Sequence, residues 1–266
     1  MHKYVRTPHI RGSRFQHGDH DMEAVPFEEL AGKHLVIEEK MDGANCAVSF
    51  DDKGELLLQS RGHYLRGGPR ERHFAMLKQW ASSHVEALYC ALGDRYVMYG
   101  EWLFAKHTCF YDLLPHYFME FDVLDTMTST FLDTPARRVL LKDTPVVPVL
   151  VLSQGTFNDL HELGVMIDES RFMTKDHGVW VANLALAAER AGVTLSNALE
   201  HTDRAAPLME GLYIKWEDGG VVKGRYKFVR NSFTSTVIDQ ELHWHDRPII
   251  QNGLRPGALE AMFTST

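Results

Sequence analysis

Cysteine is scarce in this 266-residue chain: Cys46, Cys90 and Cys109 are three, an odd number with no paired spacing. That excludes a disulfide framework and a cysteine-based zinc site as organising features. Long apolar runs are missing too. No stretch approaches bilayer-crossing length, and the opening Met1-His2-Lys3-Tyr4-Val5-Arg6 lacks the apolar segment of a secretion signal. Internal repeats and low-complexity linkers are absent. Positive charge is in deficit, with a formal net charge of −8, which excludes a protein that coats nucleic acid by bulk charge but not one with a local basic face. The expected location is the cytoplasm, with no membrane partner.

What is present suits a globular protein, at 44% hydrophobic and 24% charged residues. Periodicity predicts strands over 33–38, 44–50 and 55–60, the last two joined by the turn Asp51-Asp52-Lys53-Gly54. Residues 70–92 read as one helix whose face carries Phe74, Leu77, Trp80, Ala81, Val85, Leu88 and Leu92, stopped by Gly93. Strands follow over 96–103 and 117–125, and helices over 134–142, 157–163 and 179–191. A final hairpin covers 209–216 and 221–230. Antiparallel neighbours with interspersed helices make the expected fold class α+β, antiparallel β-sheets flanked by helices.

One lysine stands out. Lys40 lies between the apolar run Leu35-Val36-Ile37 and the glycine turn at Gly43. A free lysine has a pKa of about 10.4, so only about one molecule in a thousand is nucleophilic near neutral pH. Lys215 and Lys227 are the expected cations that would lower it, provided the final hairpin folds back onto this turn. Gly43 would leave backbone room beside a phosphate, and Asn45 would offer it an uncharged donor and acceptor. Two basic clusters, Lys3, Arg6, Arg11, Arg14 and Arg61, Arg66, Arg70, Arg72, are phosphate-binding faces or simply solvated charge. Each candidate has a plain alternative: Phe121 as core, Lys215 on a solvent face opposite Ile214 and Trp216. His17-x-x-His20 and His243-Trp244-His245 lack a third ligand for a metal.

In order, the chain reads Glu39-Lys40-Met41-Asp42-Gly43, Ser60-Arg61-Gly62, Tyr99-Gly100-Glu101-Trp102, Glu120-Phe121-Asp122, Glu210-Gly211-Leu212-Tyr213-Ile214-Lys215 and Arg225-Tyr226-Lys227. This series resembles the covalent nucleotidyltransferase superfamily of DNA ligases, RNA ligases and mRNA capping enzymes. The resemblance implies an adenylation domain over 33–232, a basic leader over 1–32 packed on it, and a short tail over 233–266. It implies Lys40 as the nucleophile that becomes lysyl-AMP, and the backbone beside Glu39 as reader of the adenine edge. Arg61 and Glu101 would hold the ribose, and Phe121 would stack on the adenine beside Asp122. Glu210, with Glu101, would orient a metal, directly or through water, and Lys215 and Lys227 would neutralise the α-phosphate. The last motif departs from the usual two lysines, since Arg225 precedes Lys227 and Lys223 is another partner.

Residues 231–266 are too few for the OB-fold that DNA ligases and capping enzymes carry, and the leader looks like those of some RNA ligases. The resemblance therefore implies an ATP-dependent RNA ligase with Mg2+ or Mn2+, joining RNA 5′-phosphate and 3′-OH ends in RNA repair, with a separate end-healing kinase and phosphatase as compatible partners. Arg6, Arg11 or Arg14 would meet the ATP β- and γ-phosphates or the RNA 5′ end, with Arg225 a further phosphate or RNA contact. The rival readings are a minimal DNA ligase, a capping-type guanylyltransferase that labels with GTP, and a non-catalytic protein that binds nucleotide or RNA ends.

Overall fold

The computed structural model describes residues 1–15, 23–233 and 248–264. His17, His20, His243, Trp244 and His245 lie outside the described residues. Among those described, the strands form one ten-stranded sheet in the order β3 (Leu56–Ser60), β2 (Ala44–Phe50), β4 (Tyr96–Trp102), β5 (Phe118–Asp125), β6 (Thr130–Leu132), β10 (Val221–Val229), β9 (Gly211–Asp218), β1 (His34–Glu39), β8 (Val151–Thr156), with β7 (Val147–Pro148) beside β5. All pairings are antiparallel except β5–β7. The α+β expectation holds. No helix among the described residues is long and apolar enough to cross a membrane.

β1 (His34–Glu39) sits between β8 (Val151–Thr156) and β9 (Gly211–Asp218). From Leu35 to Glu39 every residue of β1 is buried, on both faces of the sheet, which accounts for its unbroken apolar run. Leu35 and Ile37 pack with Phe27, Leu30, Leu212 and Ile214, while Glu38 points to the other face, which the site occupies. The final hairpin, β9 and β10 (Val221–Val229), pairs back on β1 with Glu39 opposite Leu212. The other half of the sheet is β3 (Leu56–Ser60), β2 (Ala44–Phe50), β4 (Tyr96–Trp102) and β5 (Phe118–Asp125). Short β6 (Thr130–Leu132) joins the halves, with Phe131 pairing Leu124 on one side and Val222 on the other. β7 (Val147–Pro148) is parallel to β5.

The helix expected over 70–92 is three pieces: a 3-10 turn (Pro69–Phe74), α1 (Ala75–Ser83) and α2 (Val85–Leu92). The break is at His84, whose buried Nε2 bonds the Met262 carbonyl at 2.7 Å. Val85 consequently rotates outward to 39% exposure while Trp80 and Leu88 stay buried. α3 (Thr134–Leu141), α4 (Leu160–Gly164) and α5 (His177–Arg190) begin at Asp133, Asp159 and Asp176, each accepting a first-turn amide. α6 (Leu195–Glu200) and α7 (Ala258–Phe263) complete the described helices.

The two terminal segments are structural. In the leader, Ile10 N donates to Lys227 O, and Lys227 N to Pro8 O. In the C-terminal segment, buried Asn252 accepts from Tyr111 N and donates to Leu103 O.

Candidate active site

Lys40 leaves the end of β1, where its amide donates to Gly211 O at 2.9 Å. The turn that follows is tied down by Asp42: its Oδ2 accepts from the amides of Thr108 and Cys109, both at 2.7 Å, and its own amide donates to Tyr111 OH. The Asp42 side chain thus orients the lysine turn. Gly43 is needed for close packing, because a Cβ there would meet Trp102 O at 2.6 Å. Gly43 also lines the cavity onto which the lysine turn opens. Gly43 N also donates to Glu101 Oε1 at 3.1 Å.

These residues open onto a cavity of about 580 Å³ lined by Lys40, Asn45, Glu101, Phe121, Glu210 and Lys227, with Glu39 in one wall and Arg61 at an exposed edge. The volume falls in the usual range for small-molecule sites. Lys40 Nζ lies 2.7 Å from Glu210 Oε2, with the lysine side chain 20% exposed and the glutamate fully buried. Asn45 stands opposite Glu101 across β2 and β4. Glu39 Oε1 accepts from Ser170 Oγ at 2.5 Å, and its amide donates to Leu150 O.

The electrostatics differ from the sequence expectation. Burial alone would lower the Lys40 pKa, but Glu210 opposes it, helped by Asp42 and Glu101, and the net direction is up. The amine rests as an ammonium among carboxylates. Glu101 pays the converse penalty: burial, with Asp42 and Glu210 nearby, pushes it to about 8 despite Lys40 and the Gly43 amide. Burial pushes Glu39 to about 7.

Lys215 sits elsewhere than the sequence suggested. It is fully buried, neither on a solvent face nor in the cavity wall. Its Nζ lies 2.9 Å from Glu38 Oε2 and 3.5 Å from Asp122 Oδ1, and it donates to Phe121 O. Arg137 of α3 bonds Glu38 at 2.8 Å and Glu120 at 2.6 Å. Arg225 is also turned away from the cavity, with Nε 2.9 Å from Asp122 Oδ2 and its guanidinium 3.6 Å from the Phe131 ring centre. Three acids and three bases so form a network at the cavity floor, which Glu38 lines, with Asp122 held below its usual pKa: burial opposes this, but Lys215 and Arg225 prevail.

The leader reaches the cavity through Tyr4, Val5 and Thr7. Arg6, Arg11 and Arg14 do not line it. Arg11 is exposed, and Arg14 donates to Asn231 O at 2.8 Å. Sequence reasoning missed Tyr4, Glu38 and Tyr213. Tyr213 shares the face of Lys215 by strand alternation, a signal that was available; Tyr4 carried none.

Among the described residues no group of three His, Cys, Asp or Glu forms a ready metal cage. The donor set fits a hard cation held partly through water: Glu101 and Glu210 raise each other's energy when ionised, and a divalent ion relieves that.

No curated protein matches the chain. Among solved structures, a Naegleria gruberi RNA ligase variant with AMP and Mn is 17% identical, covering 77% of this chain and 52% of that one, with a TM-score of 0.51. The same ligase with PPi is 17% identical over 87% of this chain and 56% of that one, with a TM-score of 0.52. The chain spans about half the length of these structures, and the likeness is one of fold. A family model described as RNA ligase matches residues 33–229, most of the sequence. The chain belongs to the RNA ligase family.

Proposed function

We propose that this protein is an ATP-dependent RNA ligase that works through a lysyl-AMP intermediate. The observation that carries the reading is Lys40 Nζ held 2.7 Å from buried Glu210 inside a cavity that also presents Phe121 and Lys227. Family membership and the AMP and Mn of the similar Naegleria ligase support it.

Lys40 Nζ passes its proton to the Glu210 carboxylate 2.7 Å away, the neutral amine attacks the α-phosphorus of ATP, and the P–O bond to pyrophosphate breaks. Phosphoryl transfer of this kind depends on in-line placement and charge neutralisation. Phe121 offers an aromatic face to the adenine, with the strand end at Glu39 beside it. Asn45, Arg61 and Glu101 hold the ribose and phosphates, and Lys227 faces the α-phosphate. Glu101 and Glu210 would hold Mg2+ or Mn2+, which would supply neutralisation of phosphate charge. Lys215 and Arg225 act from beneath, by fixing Asp122 and the strand that carries Phe121. AMP then passes to an RNA 5′-phosphate, and a 3′-OH attacks that phosphorus and expels AMP. The setting is RNA repair in the cytoplasm, on ends prepared by a separate kinase and phosphatase.

The test is incubation with α-phosphate-labelled ATP and magnesium, followed by denaturing electrophoresis. Label that stays on the wild type, is acid-labile and is absent from Lys40→Ala supports the reading. Absence of label with ATP, or label with GTP alone, sinks it. Sealing of nicks in duplex substrates that is indifferent to a 3′-terminal ribose would move the reading to a DNA ligase.

A further inference from the structure

The leader crosses between the two halves of the sheet and is pinned at both ends. At its start, His2 O accepts from Gln59 Nε2 at 2.7 Å and Tyr99 OH at 2.9 Å, on β3 and β4. Further on, Pro8 and Ile10 bond the backbone of Lys227 on β10. Ser13 Oγ then accepts from Val229 N at 2.8 Å. The segment between these anchors puts Tyr4, Val5 and Thr7 into the wall of the Lys40 cavity.

Tyr4 makes contacts that an inert covering would not. Its hydroxyl donates to Asp122 Oδ2 and bonds the Tyr213 hydroxyl. Tyr213 itself donates to the same Asp122 oxygen at 3.3 Å. The Tyr4 ring meets Phe121 edge-on, with centroids 5.3 Å apart, and also packs on Tyr99 and Phe131. Phe121 therefore packs against both Tyr4 and Tyr213, 5.8 Å from the latter, and both rings are locked through their hydroxyls to one buried carboxylate. A ring held by two fixed neighbours has little rotamer freedom left to lose when a base stacks on it.

We propose that residues 2–10 form a strap that completes the nucleotide site, with Tyr4 as the positioning residue that sets the Phe121 platform for the base. This rests on the ligase reading above and assigns to the leader a task different from phosphate binding by its arginines. The strap works by ring placement, so its loss weakens ATP capture and leaves the transfer step at saturating ATP nearly intact.

The experiment measures KM for ATP and the saturating rate of Lys40 adenylylation for wild type, Tyr4→Ala and Tyr4→Phe, with melting temperature beside each. Tyr4→Ala is expected to raise KM roughly tenfold with the saturating rate within about threefold, as for removal of one buried aromatic neighbour. Tyr4→Phe, which keeps the ring and drops the hydroxyl, is expected to raise KM about threefold. A merely structural role would lower the melting temperature and the labelled fraction without moving KM. Should Tyr4→Ala not fold, Tyr4→Phe carries the decision. Wild-type KM in the folded variants overturns the inference alone; a wild type that takes no label from ATP removes the ligase reading and the inference with it.

Discussion

Lys40 Nζ and Glu210 Oε2 stand 2.7 Å apart, a cation against a carboxylate with no solvent exposure of its own. A nucleophile must be neutral to attack, so this pair holds the amine in its resting, protonated form. Burial works against that form, and Glu210 with Asp42 and Glu101 outweighs it. Replacing Glu210 by Gln removes the largest of these opposing charges. In Glu210→Gln, Lys40 should become reactive toward an amine reagent such as acetic anhydride at lower pH than in wild type, read by mass spectrometry of the Lys40 peptide. Adenylylation should nevertheless fall by about 10²-fold or more, because a charged partner organising the phosphate site has gone. An unchanged pH dependence of modification would show that Glu210 does not govern the amine.

Glu101 carries an opposite liability. Its pKa is raised from 4.5 to about 8 in the folded protein, chiefly by burial. A raised acid stabilises the fold fully below its unfolded pKa, and that contribution is lost as pH rises through about 8. Glu101→Gln should match wild-type stability near pH 5 and exceed it near pH 8, by on the order of 1–3 kcal/mol once cavity solvent is allowed for. Denaturant melts at the two pH values test this, and millimolar magnesium should narrow the gap. Activity should be lost in the same variant, a case of stability given up at a working site.

Much of this arrangement was legible in the chain. Lys40 after an apolar run, the order of the motifs and the last hairpin itself follow from local pattern, while the return of that hairpin to β1 was a condition that the structure meets. What escaped depends on long-range pairing. β8 and β6 are short and have weak alternation; β8 exists as an edge because β1 offers it a partner. The break at His84 answers to Met262, 178 positions away. Lys215 reads as a phosphate-neutralising cation, or failing that a solvent-facing one, because alternation specifies a face but not what covers it, and here Glu38, Phe121 and Asp122 do. Tyr4 reads as part of a basic leader because only the folded sheet brings it to Asp122.

Gly211 couples the pair at Lys40 to the sheet. A Cβ there would meet Phe228 O at 2.1 Å and Val229 Cα at 2.8 Å. Backbone of a paired strand cannot yield as a flexible side chain does, so Gly211→Ala must splay β9 from β10 directly beside Glu210. The expected outcome is a loss of about 1–3 kcal/mol or more in stability, with Lys40 labelling abolished. Gly164→Ala, where nothing lies within 4 Å, is the control and should melt like wild type.

A cation that touches substrate and one that holds the cavity floor differ in what their loss does to the fold. Lys215 is fully buried with Glu38 at 2.9 Å and Asp122 at 3.5 Å. Lys215→Met would leave two buried carboxylates with one fewer cation, and breaking such a pair from one side costs about 3–5 kcal/mol. Lys215→Met should therefore melt well below wild type, whereas Lys227→Met, changed at the cavity wall, should lose adenylylation with a much smaller change in stability. Adding Asp122→Asn to Lys215→Met removes one of the stranded charges and should restore part of the lost stability, a coupling visible in a double-mutant cycle. If Lys215→Met melted like wild type and lost only activity, the lysine would be a phosphate ligand after all, and the charge network beneath the cavity would have no hold on the fold.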